Sequence, residues 1–321
     1  MTAPLRLVCR LRFRSGFRMG GLAGDVNRQQ ETVETSTLWG GLGCCAASLF
    51  GADAADALVT EGALSSLLWA EDDRYFVPRP LSPVEPSAET DLKRFKKLRW
   101  IPLEELADFL AGNLPQGGQT SFGEEEVLTS AALDRTSNAA VPYARRRCRT
   151  NDAEGVILAE IAATHRRIFE AALRLFGDEG LGGERSSGWG RFEATVLPAE
   201  ETPFGPLLGA SPEASRPGEG KEAFLALGCC LPTKADLSRV EDAAGGQPLG
   251  YDFVTLRGWV GASSVLKPTV TAFAAGSVFP FRPKGLVVEI TPPDAPNQVT
   301  FNGRPVFLPL PNLGGRHTGV A

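Results

Sequence analysis

A strictly alternating stretch at Leu5–Phe13, a strand–helix–glycine loop–strand series over residues 154–197, and a weaker series beyond residue 221 mark out the fold class. They predict an α+β chain of two ferredoxin-like (RRM-like) domains, the second degenerate and the first carrying a long insertion. The expected limits are 1–199 for the first domain with its insertion at about 79–151, 200–220 for a linker, and 221–321 for the second domain.

The first element is the clearest. Leu5, Leu7, Cys9, Leu11 and Phe13 are apolar, and Arg6, Arg10, Arg12 and Arg14 stand at alternate positions. Period two gives a strand with one buried and one basic face. Ser15-Gly16-Phe17 ends it. Thr35–Phe50 reads as a helix with Thr35 or Ser36 as N-cap, because a side-chain oxygen there satisfies a first-turn amide. Tyr75–Pro78 reads as a short strand stopped by proline. Arg79–Asn151 is rich in proline and charge and reads as irregular, with one helix near Pro102–Ala111. Glu154–Ala162 is a strand, and Thr164 caps a helix running through Phe176. Its Ile168, Ala171, Ala172 and Leu175 fall at i, i+3, i+4 and i+7, one apolar face. A strand over Trp189–Leu197 follows the glycine loop, and Pro198–Gly220 reads as a linker. Beyond it, strands at Ala223–Leu231 and Tyr251–Gly261 flank a short helix at Lys234–Ala243. Strand-like pieces follow at Val270–Phe281, Gly285–Ile290 and Val306–Leu308.

The chain has 321 residues, enough for two domains and a substantial core. No apolar run approaches the roughly eighteen residues of a membrane span. The arginine-rich start lacks the apolar segment of a secretory signal, and its alternation favours a strand over a transit peptide. Six cysteines without a C-x-x-C spacing read as free thiols of a cytoplasmic protein, not as disulfides or a zinc cluster. The net charge of −5 argues against a general nucleic-acid coat protein. The basic residues are nevertheless clustered at Arg6–Arg18, Lys93–Arg99 and Arg145–Arg149, which suits one bound polyanion together with protein partners.

The chemistry concentrates at Gly180–Arg191, with glycines at 180, 182, 183, 188 and 190. Glycine permits positive φ and close approach to the backbone, which leaves amide donors open to a phosphate. Arg185, Ser186 and Ser187 add donors. The plainer reading is a tight helix-to-strand connection. Gly41-Leu42-Gly43-Cys44-Cys45-Ala46 matches G-x-G-x-x-A in form, but no hydrophobic strand precedes it, so the glycines read as close packing of the helix on its sheet. Only two histidines occur, His165 and His317, and no nucleophile–His–acid arrangement can be assembled. Glu124-Glu125-Glu126 is a solvated acidic run or, alternatively, a Mg²⁺ site. Lys93–Arg99 is either a helix surface around a packed Phe95 or a contact with RNA or an acidic subunit.

Several of these segments resemble one family. Gly182-Gly183-Glu184-Arg185-Ser186-Ser187-Gly188-Trp189-Gly190 is similar to the glycine-rich loop of the RAMP superfamily of CRISPR RNA-binding proteins. Leu11–Phe17, Lys96–Leu103, and Phe273–Phe279 after Leu256-Arg257-Gly258-Trp259 resemble the Csm-type subunit of the type III-A effector complex. One stretch departs from the pattern. Relatives carry H-S-D-T-L-F-G at the first helix, and here Glu34 and Ser36 replace the His and Asp.

The resemblance implies a non-enzymatic clamp on the repeat-derived 5′ tag of the crRNA. It also implies anchoring of the large polymerase/cyclase signalling subunit and contact with an adjacent RAMP backbone subunit, with no cofactor and no metal. The loop residues Gly182, Gly183, Arg185, Ser186, Ser187 and Gly188 then bind phosphates. Arg14, Ser15, Gly16, Arg18, Thr35, Ser36, Thr37 and Trp39 border the groove, and Arg135, Arg145, Arg146 and Arg147 reach in from the insertion. Arg257 and Lys267 contribute from the second domain. Trp39 and Phe279 are either base-stacking rings or core residues. The alternative is a guide-RNA-processing endoribonuclease of the same superfamily.

Overall fold

The computed structural model describes residues 3–20, 32–209, 223–244, 250–261, 263 and 265–310. The first half runs β1 (Leu5–Phe13), α1 (Thr35–Phe50), α2 (Ala52–Glu61), β2 (Ala63–Leu64), β3 (Leu68–Glu71), β4 (Arg74–Pro78), α3 (Leu92–Lys97), β5 (Trp100–Pro102) and α4 (Leu106–Leu110). It continues through β6 (Glu124–Leu133), β7 (Ala140–Arg149), β8 (Glu154–Ile161), α5 (Arg166–Glu179) and β9 (Phe192–Pro198). The second half holds α6 (Gly205–Gly209), β10 (Ala223–Ala226), α7 (Lys234–Ala244), β11 (Phe253–Leu256), β12 (Val270–Phe273), β13 (Val278–Phe279), β14 (Leu286–Glu289), β15 (Thr300–Gly303) and β16 (Phe307–Leu310).

The main sheet is antiparallel, in the order β5-β4-β3-β8-β1-β9, with β2 also paired to β8. Central β1 buries Leu7, Cys9 and Leu11 as its alternation requires. Its arginines do not form an open basic face. Arg6 pairs with Glu160 at 3.3 Å, Arg10 with Glu154 at 2.6 Å and Arg14 with Glu193 at 2.6 Å, each carboxylate coming from a flanking strand. Opposite charges one strand apart neutralise these three positions, while Arg12 stays exposed.

Helices α1 and α5 pack side by side, and Gly41 makes this contact close: a Cβ there would meet the Phe176 ring of α5. The glycine therefore serves helix-on-helix rather than helix-on-sheet packing. The N-cap of α1 is Glu34, not Thr35 or Ser36, and its side chain makes no capping bond. Likewise α5 is entered through a 3₁₀ turn at Ala163–His165, with Thr164 inside the turn and no side-chain cap.

The insertion is more ordered than its composition predicts. Asp91 accepts from the Lys93 and Arg94 amides and caps α3. Phe95 from α3 stacks on Phe109 at 4.8 Å beneath the Arg79 guanidinium, so Lys93–Arg99 surrounds a packed ring. Beyond it, β6 and β7 form a long two-stranded hairpin separate from the main sheet. Pro142 is tolerated because each strand of a two-stranded ribbon is an edge. The strand expected from Trp189 begins at Phe192, because Trp189–Arg191 completes the loop.

In the second half β10 is flanked by β13 and β16, and β11–β12 and β14–β15 are separate hairpins. The strand expected at Tyr251–Gly261 is shorter, and that at Val270–Phe281 is broken by a turn at Gly276. Leu225, Leu227, Val306 and Leu308 join the same apolar core as β1, α1 and α5. Arg282 reaches Glu160 at 2.6 Å, and Asn302 donates to the Gly62 carbonyl at 2.8 Å, so polar bonds also tie the halves together. The expected linker at 200–220 opens with a short turn and α6; residues 210–220 lie outside the described residues, as do His317 and the chain beyond 310.

Candidate nucleic-acid interface

The glycine loop is stitched to the exit of β1. The Gly183 amide donates to the Arg18 carbonyl at 2.8 Å, the Gly190 amide to the Gly16 carbonyl at 3.0 Å, and the Ser15 hydroxyl to the Gly188 carbonyl at 2.9 Å. Three glycines make this approach possible. Gly180, Gly182 and Gly190 have positive φ, and a Cβ on them would run into the carbonyls of Trp189, Arg18 and Leu181 respectively. These glycines close the turn.

The crest of the loop, Glu184–Gly188, is different. Glu184 is left-handed at φ 61°, a 3₁₀ turn covers Arg185–Ser187, and Gly188 is left-handed again with open space beside it. The amides of Glu184, Arg185 and Ser186 have no hydrogen-bond acceptor among the described residues. Successive free amides in such a turn present a concave cluster of partial positive charge.

Guanidinium groups surround the crest. Arg145 and Arg147, two apart on one face of β7, lie over the Trp189 ring at 4.9 and 5.5 Å. Arg145 also donates to the Ser187 hydroxyl at 3.3 Å. Arg18 meets Glu184 at 3.0 Å and Arg145 meets it at 3.5 Å, so one carboxylate holds two of the cations. Arg185 is half-exposed and has only a long 3.4 Å contact to Glu179. An open cleft of about 680 Å³ lies between the loop and the end of α5. Asp178, Glu179 and Glu184 line it along with Arg185 and Arg191, so the cleft is mixed in charge while the crest is cationic.

The structure thus brings together Arg14, Ser15, Gly16, Arg18, Arg145, Arg147, Gly182, Gly183, Arg185, Ser186, Ser187 and Gly188. It corrects other expectations. Thr35 is fully buried with its hydroxyl on Ser66, so it borders no groove. Trp39 is 3% exposed with its ring over Gly62, and Phe279 is 1% exposed among Phe273, Phe281 and Phe307; neither ring is open to a base. Ser36 and Thr37 remain half-exposed in the first turn of α1. Arg146 points to the other side of the hairpin and pairs with Glu125. Arg135 sits at the hairpin tip, seven residues or roughly 23 Å beyond Leu128, the cross-strand partner of Arg145. Arg257 is exposed on the second half, and Lys267 lies against α1, its Nζ 3.9 Å from where a Gly40 Cβ would stand. The acidic run is committed to β7, Glu126 meeting Arg147 at 2.5 Å. His165 bonds Glu61 at 2.8 Å at the far end of α5 from the loop.

Glu184, Trp189 and the hairpin were not foreseen. One signal for the hairpin was present: Glu124–Glu126 and Arg145–Arg149 are opposite in charge and equidistant from the Asp134–Asn138 turn. The buried thiols take no part in the site. Burial pushes Cys229 up to about 12, and Cys9 higher still, so they stay protonated. Among the described residues no group of three or more His, Cys, Asp or Glu could hold a metal, and no helix is long and apolar enough to cross a membrane.

Fold and site define a mixed α/β protein built on antiparallel sheets, with a basic glycine-rich loop at the end of its main sheet. Residues 219–310 match the model of the CRISPR Csm4 C-terminal domain. The chain is 29% identical to the CRISPR system protein Csm4 of Mycobacterium tuberculosis (strain H37Rv) over 259 residues, 77% of this chain and 79% of that protein. It is 26% identical to Csm4 of Thermococcus onnurineus (strain NA1) over 280 residues, 80% of this chain and 85% of that protein. Its fold matches a chain of the Csm3–Csm4 subcomplex of a type III-A CRISPR-Cas interference complex. The TM-score is 0.62 at 18% identity, covering 95% of this chain and 99% of that one. It also matches a chain of a Csm1–Csm4 cassette in complex with cA4, with a TM-score of 0.58 at 18% identity and coverage of 97% and 100%. Residues 219–310 thus match a Csm4 C-terminal domain, and over most of its length the chain resembles Csm4 proteins in sequence and, in fold, a chain of a type III-A CRISPR subcomplex.

Proposed function

We propose that this subunit is a non-catalytic clamp for the 5′ repeat tag of the crRNA. The carrying observation is the crest at Glu184–Gly188: three amides without an internal acceptor and exposed Arg185, in a ring that includes Arg18, Arg145 and Arg147. Backbone amides and guanidinium groups at one spot are the donors that recognise phosphate oxygens without reading sequence. The order β9-β1-β8-β3, with β8 antiparallel to both β1 and β3, supports a ferredoxin-like unit in the first half. The solved relatives place Csm4 with Csm3 and with Csm1. By that likeness the subunit abuts a RAMP backbone subunit and anchors the large polymerase/cyclase subunit. The hairpin β6–β7, with Val127, Leu133, Val141 and Tyr143 exposed, is the element that reaches toward RNA or a neighbouring subunit. A processing nuclease needs a general base or acid at the RNA. The His165 bond to Glu61, about 21 Å of helix from the loop, speaks for the clamp instead.

The test is Arg185→Ala, measured by fluorescence anisotropy with repeat-tag RNA. Loss of one charge-assisted hydrogen bond to phosphate weakens binding by about 1.5–3 kcal/mol with unchanged thermal stability. A variant that binds the tag as tightly as the parent chain overturns the proposal.

A further inference from the structure

We infer that the outward face of the β11–β12 hairpin is a second contact for single-stranded RNA, a base-stacking platform made by Tyr251, Phe253, Arg257 and Trp259 and continued by Lys267. The inference rests on the clamp reading and extends the RNA path to a surface that reading does not use.

The stripe is a product of strand alternation. Val254, Leu256 and Val260 are buried, while Phe253, Thr255, Arg257 and Trp259 are exposed on the other side. Phe253 is 57% exposed and Trp259 56%, an unusual placement for large rings. The Phe253 ring is held from behind. It stacks on buried Phe273 at 5.0 Å and 26°, and Tyr251 packs edge-on to both rings. One face of the aromatic cluster is thereby fixed and the other left open, the arrangement a base can stack on without ordering cost to the protein. Beyond β11 the hairpin continues through a bridge between Trp259 and Leu266, so Phe253 and Trp259 stand about 20 Å apart along the strand. That is the length of about six stacked nucleotides.

Charge selects a polyanion over an apolar protein partner. Asp252, exposed between Tyr251 and Phe253, is the one acid within the platform, and from Phe253 to Val288 there is no aspartate or glutamate, where the acid content of the whole chain would put about four. The charged residues of this stretch are Arg257, Lys267, Arg282 and Lys284. Arg282 is spent on Glu160, whereas Arg257 and Lys267 have no ion-pair partner among the described residues. What sets Arg257 and Lys267 apart is their place beside exposed rings, the pairing of cation and aromatic surface that a strand-tracking groove uses.

Lys267 carries the stripe as far as α1, where its Nζ lies beside Gly40. Burial without a counter-ion lowers the Lys267 pKa, and a phosphate oxygen would restore it.

Trp259 supplies the probe. The other four tryptophans, Trp39, Trp69, Trp100 and Trp189, are all at most 5% exposed. The experiment titrates the full chain with a repeat-tag RNA and with a 20-nucleotide oligouridylate, reading tryptophan emission and anisotropy, for the parent, Phe253→Leu/Trp259→Leu, Trp259→Phe and Arg185→Ala. Leucine keeps apolar area and removes the ring; phenylalanine keeps a ring. The expected result is quenching of red-shifted emission by RNA in the parent, absent from the double leucine variant. That variant should bind RNA at least ten-fold more weakly, and Trp259→Phe near parental strength. If Arg185→Ala weakens binding and the leucine variant does not, the platform is refuted while the clamp stands. If neither changes, both readings fail. If the leucine variant keeps its RNA affinity but no longer co-purifies with its partner subunits, the face is a protein contact and the inference is overturned.

Discussion

On the clamp reading, Glu184 competes with RNA phosphate for the same cations. Its carboxylate meets Arg18 at 3.0 Å and Arg145 at 3.5 Å, and its backbone holds φ 61°, a conformation suited to glycine. Glu184→Gly removes the carboxylate and leaves the turn undisturbed. On stability, the two partly exposed ion pairs contribute up to about 1 kcal/mol each after screening. Relief of the left-handed strain returns about 1–2 kcal/mol, and the freedom of glycine in the unfolded chain takes back about 0.4–1 kcal/mol. The net change is a loss of at most about 2 kcal/mol. On binding, Arg18 and Arg145 lose the carboxylate they share, and one charge that repels RNA is removed. Tag RNA should bind roughly ten-fold more tightly at low salt, about 1.4 kcal/mol. The plot of log K against log salt should steepen by about 0.7 for each phosphate gained, so by up to about 1.4. Anisotropy titrations from about 50 to 300 mM salt measure both quantities, and Glu184→Gln, which keeps the backbone strain, separates charge from conformation. Weaker binding, or tighter binding with an unchanged slope, would refute the idea that the carboxylate competes with phosphate.

Two further outcomes follow from the same geometry. Gly182→Ala drives a Cβ into the Arg18 carbonyl at positive φ and should cost about 2–3 kcal/mol. Gly188→Ala, with positive φ but open space, should cost only about 1 kcal/mol; equal losses in urea denaturation would contradict the packing argument. Burial raises the pKa of Glu34 against the opposing hydrogen bond from Ser66. Its favourable contribution is therefore complete below the ordinary carboxylate value of 4.5 and is lost as pH rises through the raised folded value. Glu34→Gln should gain in melting temperature over the parent as pH increases from about 4 to 8, and a difference that does not change with pH would exclude the buried carboxylate as its source.

What the sequence disclosed and what it hid divide along physical lines. Strand β1 and helices α1 and α5 were legible because each has one buried face, and burial imposes a period on neighbouring residues. The β6–β7 hairpin was not, because most of its side chains are exposed and its acids and arginines make sense only as cross-strand partners. Read singly, Glu124–Glu126 is a solvated run; read in register, it neutralises Arg146 and Arg147. The glycine loop was visible, but its division of labour was not: Gly180, Gly182 and Gly190 close the turn, and the crest between them keeps three amides without an internal acceptor among the described residues. Thr35 and Trp39 misled because the start of α1 is covered by the Ser65–Leu67 segment, Gly62 and Gly228, contacts distant in sequence.

The central claim is tested most directly by purifying the chain with the products of its neighbouring genes, cross-linking with ultraviolet light, and mapping RNA adducts while sequencing the bound RNA. Guide RNAs sharing one 5′ repeat tag, with adducts between Gly182 and Gly188, are the predicted result. Assemblies that contain the subunit but no RNA, or tags cross-linked only to other subunits, would contradict it and return the glycine loop to the status of a turn.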